Sequence, residues 1–162
     1  ARIYHLLTSV VVPRPIAWVS TMSRDGVVNH APFSYFNAIT SKPPLLSISA
    51  GRRRGARKDT TNNASSTGEL VVNVVSEANL EAMVQTSADY DPDVDELATV
   101  GLTAIDSVLV KRARIPVGLC AGLLRCGLPS MSSSTAVPQG AIDSMSCGRS
   151  KQRIGRLGAI IE

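Results

Sequence analysis

Residues 51–60 read GRRRGARKDT, four arginines and a lysine within ten positions, closed by Asp59-Thr60. Cations at this density neutralise a nucleic-acid backbone, rest on an anionic membrane surface, or gather around one phosphate group. The two glycines let backbone approach a ligand. The stretch that follows, KDTTNNASSTG, reads as a short helix with Asp59 or Thr60 near its N-cap and Gly68 at its end. A helix start offers free N–H groups and a positive dipole end to a phosphate, and arginine and lysine add charge-assisted hydrogen bonds. A plain solvated charge run is the competing reading, and the usual one for an isolated cluster. Because the cations coincide with glycines and a helix start, one bound phosphate group is preferred.

Other chemistry-bearing residues are few. There are two histidines, His5 and His30, and no HExxH, GxSxG, Walker or GxGxxG pattern. Neither histidine has a partner at ligand spacing, so each is expected at the surface or as a hydrogen-bonding residue, and no metal site is expected. Cys120, Cys126 and Cys147 form neither a paired CxxC set nor an even disulfide set, which leaves free thiols. An enzyme with so few acid–base groups borrows its chemistry from a cofactor, and no catalytic side chain is singled out.

The elements that must position the basic loop are short strands. IAWVST (16–21) is a strand following the Pro13 and Pro15 breaks in a β-rich run, and Asp25-Gly26 supplies a hairpin turn. VNHAPFSYFNAIT (28–40) is strand-like but carries Pro32, which places it at an edge, bulge or bend. PPLLSISAG and ELVVNVV are further strands, and SEANLEAMVQTSA is a helix opened by Ser76 with Leu80, Met83 and Val84 on one face. Several short strands with few intervening helices favour a β-barrel with helical decorations over a layered α/β fold. Trp18 is expected in the core, with at least one of Phe33, Tyr35 and Phe36.

At 162 residues, with 44% hydrophobic and 19% charged residues, the chain is expected to form one domain over 1–162. No apolar run approaches the roughly 20 residues of a spanning helix, and no secretory pattern opens the chain; no membrane association and a cytoplasmic location are expected. The net charge of +4 is unevenly spread. Residues 1–110 hold nine Lys and Arg against eleven Asp and Glu, whereas residues 111–162 hold eight against two. All six aromatics precede that boundary and all three cysteines follow it. An acidic front with no interleaved aromatic platform argues against nucleic acid. The segment 112–153 has no clear apolar period; it reads as a flexible basic extension, a divergent end of the domain, or a stretch translated out of frame.

Five blocks in one order resemble the flavin reductase-like, FMN-binding split-barrel family, which includes flavoredoxins and the reductase components of two-component monooxygenases: YHLLTSVVVPRPIAWVST (4–21), VNHAPFSYFNAIT (28–40), GRRRGARKDT (51–60), TGELVVNVVSE (67–77) and TSADYDPDVDELATVGLT (86–103). They cover nearly all of residues 4–110. The resemblance implies a mainly β fold, a split β-barrel of Greek-key-like connection with a few short helices, forming a homodimer with FMN near the subunit interface. It places Ser20 and Thr21 against the flavin or its ribityl chain. Asn29 and Ala31, Pro32, Phe33 and Ser34 would line the isoalloxazine edge, with Asn37 supporting them. Arg52, Lys58, Asp59 and Thr60 would surround the phosphate.

The activity implied is hydride transfer from NADH or NADPH to FMN, or to FAD, with reduced flavin passed to a monooxygenase or another acceptor. A flavoredoxin-like electron carrier and, more distantly, a nucleic-acid binder using the basic tail are the alternatives. Residues 112–150 depart from the family pattern and IGRLGAI (154–160) resumes it, which puts the last strands, the dimer interface and with them the flavin site in question.

Overall fold

The computed structural model describes residues 2–41 and 44–106, and beyond them the backbone of four strands at 113–114, 121–126, 145–146 and 158–161. The side-chain surroundings of the divergent segment 112–153, and the expected free thiols of Cys120, Cys126 and Cys147, lie outside the described residues.

The hairpin is built as expected. Strand β1 (Ala17–Met22) pairs antiparallel with β2 (Val28–Phe33), and Gly26, with φ 91°, supplies the left-handed backbone of the connecting turn. β1 is central: its other side pairs with β5 (Glu69–Asn73). Strand alternation then sends Ala17 and Val19, with Leu70 and Val72, into one core shared with Phe33, Ile48 and Ala64. Trp18 goes to the opposite face, where it meets Met83 and Leu97. Its indole N–H donates to Thr86 Oγ1 at 2.9 Å, so the only tryptophan is both packed and satisfied.

Among the described residues β2 pairs with β1 alone, which accommodates Pro32: a residue without an N–H sits on a strand with a neighbour on one side. The single strand-like stretch read across 28–40 is in fact two strands, because the chain bends at Ser34-Tyr35 before β3 (Phe36–Ser41). β3 pairs antiparallel with β4 (Pro44–Ile48), with an irregularity between Ala38 and Thr40. β6 (Ile105–Asp106) and β7 (Ala113–Arg114) form a separate two-stranded ladder. β8 (Ala121–Cys126) pairs antiparallel with β5 and with β9 (Met145–Ser146). β10 (Gly158–Ile161) runs parallel to both β8 and β4, joining the two halves of the path.

Helix α1 (Arg2–Val10) was not anticipated. The valines before Pro13 suggested strand, but Ile3, Leu6, Leu7 and Val10 fall at helical spacing and form an apolar face that stays exposed. α2 (Asp59–Thr67) starts at Asp59 as read, with Lys58 in the N-cap position, and buries Thr60, Thr61 and Ala64.

Gly68 ends α2 at φ 69°, its N–H donating to the Ala64 carbonyl, and no atom lies within 4 Å of where a Cβ would stand. A side chain there meets open space, so only the left-handed backbone is penalised. Gly68→Ala is therefore expected to cost about 1 kcal/mol in urea unfolding.

The helix expected after Ser76 is shorter than read: a 3₁₀ turn (Glu77–Asn79) leads into α3 (Leu80–Gln85). Of its three apolar positions only Met83 is buried, while Leu80 and Val84 are exposed. α4 (Glu96–Thr99) is an unanticipated single turn, capped by the Asp95 side chain, which accepts from the N–H groups of Leu97 and Ala98.

Candidate functional site

The basic loop folds back on itself. Arg53 and Ala56 exchange two main-chain hydrogen bonds of 2.9 and 2.8 Å across Arg54 and Gly55, both left-handed with φ 49° and 85°. Gly55 adopts this conformation freely, whereas Arg54 carries a conformation rare for a side-chain-bearing residue. The turn is tied outward by an Arg53–Asp89 ion pair of 3.1 Å. It faces a cavity of about 520 Å³ whose walls come from β2 (Asn29, Ala31, Pro32), the loop, the start of α2, and the segment from Thr86 to Glu96.

Two contacts fix edge strand β2 to the loop and helix. Asn29 Nδ2 donates to Thr60 Oγ1 at 3.0 Å, and Lys58 Nζ lies 5.6 Å from the centroid of the Phe33 ring. Lys58 caps α2 by backbone position only, with no side-chain hydrogen bond, so the first turn is not satisfied by a capping side chain. Arg53, Arg54, Arg57 and Lys58 thus meet the positive end of a nine-residue helix at one cavity.

Three carboxylates face the same space: Asp59, Asp89 and Glu96. Glu96 is 8% exposed, and one of its oxygens, Oε2, accepts the main-chain N–H of His30 in β2. Burial is the main reason its pKa is pushed up to about 7; Asp59 and Asp95 push in the same direction, and the His30 N–H and Lys58 oppose them.

His30 corrects the expectation of a surface or hydrogen-bonded ring. It is fully buried, packs edge-on against Trp18 with centroids 5.8 Å apart, and neither ring nitrogen has a hydrogen-bond partner among the described residues. Burial lowers its pKa to about 3.

These two groups set opposite pH slopes. His30, lowered from 6.5, contributes stability that is present above pH 6.5 and lost as pH falls toward 3. Glu96, raised from 4.5, contributes stability that is fully present below pH 4.5 and lost as pH rises through 7. Between 4.5 and 6.5 the proton gained by the unfolded chain at His30 matches the one held by the native chain at Glu96, so the slopes cancel. The pair is expected to give a flat urea midpoint across that window. Glu96→Gln is expected to turn the plateau into a rise with pH, which a series of unfolding curves checks.

The residues singled out from the sequence separate into four places. Asn29, Ala31, Pro32, Lys58, Asp59 and Thr60 line the cavity, and Phe33 lies under Lys58. Ser34 and Asn37 line a different cavity of about 580 Å³, between residues 11–15, β3 and β4. Ser20 and Thr21 are buried at 1% exposure, their hydroxyls accepting from Asn73 and Asn63 at 3.2 and 3.3 Å, and line neither cavity. Arg52 is exposed and bonds the Gly55 carbonyl at 3.1 Å; Arg53, Arg54 and Arg57, which were not singled out, line the cavity instead. Alternation along the loop could have separated Arg52 from Arg53, but the turn centred on Arg54-Gly55 breaks that period. Glu96 was also missed, because only the tertiary approach of α4 to β2 gives it a role. Among the described residues no cluster of His, Cys, Asp or Glu could hold a metal ion.

Residues 9–147 match the flavin reductase like domain. The chain belongs to that family. An uncharacterized protein of Aquifex aeolicus is 47% identical over 114 residues, 70% of this chain and 58% of its own length. The nitrilotriacetate monooxygenase component B of Bacillus cereus superposes with a TM-score of 0.73 at 37% identity, covering 75% of this chain and 60% of that one. A split barrel domain protein of Shewanella frigidimarina, at 24% identity, shares the fold with a TM-score of 0.67 over 75% of this chain and 59% of its own. This flavin reductase-like chain is thus mainly β, a split barrel with short helices, and it spans a little over half the length of the relatives it matches. Among the described residues no helix is long and apolar enough to cross a membrane.

Proposed function

We propose that this flavin reductase-like chain binds FMN and accepts hydride from NADH or NADPH onto it, with the phosphate held in the 520 Å³ cavity. The observation that carries the reading is the meeting of Arg53, Arg54, Arg57 and Lys58 with the start of α2 beside the edge strand β2. The donor chemistry fits a phosphate: guanidinium and ammonium groups for its oxygens, and helix N–H groups aimed at one point.

When bound, the flavin supplies the redox chemistry and the nicotinamide supplies the hydride. The chain's own work is placement. Lys58 and the arginines anchor the anionic end. Asn29 and Ala31 lie on an edge strand whose backbone is clamped by Thr60 through Asn29 and by Glu96 through His30, so a ring lying along β2 meets a fixed backbone. Ser34 and Asn37 line the other cavity and in this reading contact a part of the ligand away from its phosphate; Ser20 and Thr21, buried on opposite faces of β1, and Phe33, under Lys58, support the strands. Delivery of reduced flavin to a monooxygenase belongs to the same reading, supported by the likeness to a monooxygenase component B; a homodimer and a cytoplasmic location come with the family resemblance alone.

The reading is tested by following NADH and NADPH oxidation with FMN added to the purified protein. Turnover that saturates with FMN supports a reductase. Flavin that stays bound through desalting, with little turnover on free flavin, supports the flavoredoxin-like carrier instead. No binding and no turnover overturns both.

A further inference from the structure

Resting on that phosphate reading, the geometry points to a second role for Glu96: it takes up a proton when a phosphate enters the cavity, so that binding and protonation are coupled. A carboxylate in the wall of an anion site is a contradiction as long as it stays charged. Glu96 cannot turn away to relieve it, because it is nine-tenths buried and its Oε2 holds the His30 N–H on the outer side of β2.

Its neighbours make the neutral form accessible. From α2 come Asp59 and, at the N-cap, Lys58; from its own helix comes the cap Asp95; from β2 comes His30, uncharged in its apolar site. Across the cavity stand Arg53, Arg54 and Arg57 of the loop, with Asp89 and Tyr90 after α3. With the cavity free of anion, Lys58 is the cation that favours the Glu96 carboxylate. A phosphate draws Lys58 to itself and adds negative charge, and both changes favour the acid. The acid keeps a carbonyl oxygen for the His30 N–H, so the strand clamp survives protonation.

The consequence is a pH-dependent affinity that is separable from the phosphate's own titration, which has a pKa of about 6 and acts alike on any variant. Glu96→Gln mimics the protonated form and retains the acceptor. By quenching of flavin fluorescence, the ratio of the E96Q affinity for FMN to the wild-type affinity should rise about five-fold between pH 6 and pH 8, the direction expected when binding pushes the Glu96 pKa, already about 7, further up. Independently of any variant, titration of wild type in two buffers of different ionisation enthalpy at pH 8 should show net proton uptake on FMN binding.

A constant ratio of the two affinities across pH overturns the proposal and leaves the phosphate site standing, as does zero proton uptake by wild type where E96Q does not fold. Absence of FMN binding by wild type at every pH overturns the phosphate reading and this one with it.

Discussion

Arg57→Ala combined with Lys58→Ala should weaken FMN binding by about 100-fold or more, since each charge-assisted hydrogen bond to a phosphate contributes about 1.5–3 kcal/mol. Both residues line the cavity at the start of α2, and neither belongs to the buried core, so the variant should keep its unfolding midpoint nearly unchanged. The control is riboflavin, which has the ring and ribityl chain but no phosphate. Its weaker binding should be the same in wild type and variant. Equal loss for both flavins would place Lys58 under the ring, where its position over Phe33 would matter more than its charge.

Trp18→Ala is expected to cost about 3–5 kcal/mol, a large share of the roughly 5–15 kcal/mol that keeps a domain folded. The side chain is 1% exposed and joins β1 to α3 and α4 through Met83 and Leu97. Three losses add: the packed indole volume, the edge contact with His30, and the hydrogen bond to Thr86. His30 is then left beside a cavity with its ring nitrogens still unpartnered among the described residues, which discourages collapse. Trp18→Phe keeps most of the volume and is expected to lose about 1 kcal/mol, chiefly the Thr86 bond. Urea unfolding of the two variants separates volume from hydrogen bond. A loss below 1 kcal/mol for the alanine variant would mean that this face of the sheet is not a stabilising core.

The strands of the front half were legible because their signals are local. The β-rich run IAWVST, the Asp25-Gly26 turn and the prolines at 13, 15, 32 and 44 each act over a few residues, and each appears where it was read. Helix α1 was obscured by a conflict between two periods, valines favouring strand and the spacing of Ile3, Leu6, Leu7 and Val10 favouring helix. Leu80, Met83 and Val84 were read on one helix face, but only Met83 packs against Trp18, because helical spacing cannot say how wide a stripe the sheet will cover.

The site was half legible for the same reason. Lys58, Asp59 and Thr60 are contiguous, and Asn29, Ala31 and Pro32 lie on one strand, so two short readings suffice to name six cavity residues. Arg53 rather than Arg52 faces the cavity because of the left-handed turn at Arg54-Gly55, a conformation that the sequence allows without dictating. Glu96 enters from 36 residues beyond Thr60, and His30 is buried by Trp18 from the neighbouring strand; both depend on tertiary approach, to which periodicity is blind.

The central claim, that this flavin reductase-like chain holds FMN by its phosphate and receives hydride on it, is met most directly by one absorption experiment. The full chain is loaded with FMN, desalted, and mixed anaerobically with NADH or NADPH. A flavin band that survives desalting and bleaches on addition of nucleotide is expected. A chain that retains no flavin and oxidises neither nucleotide with FMN added would contradict it.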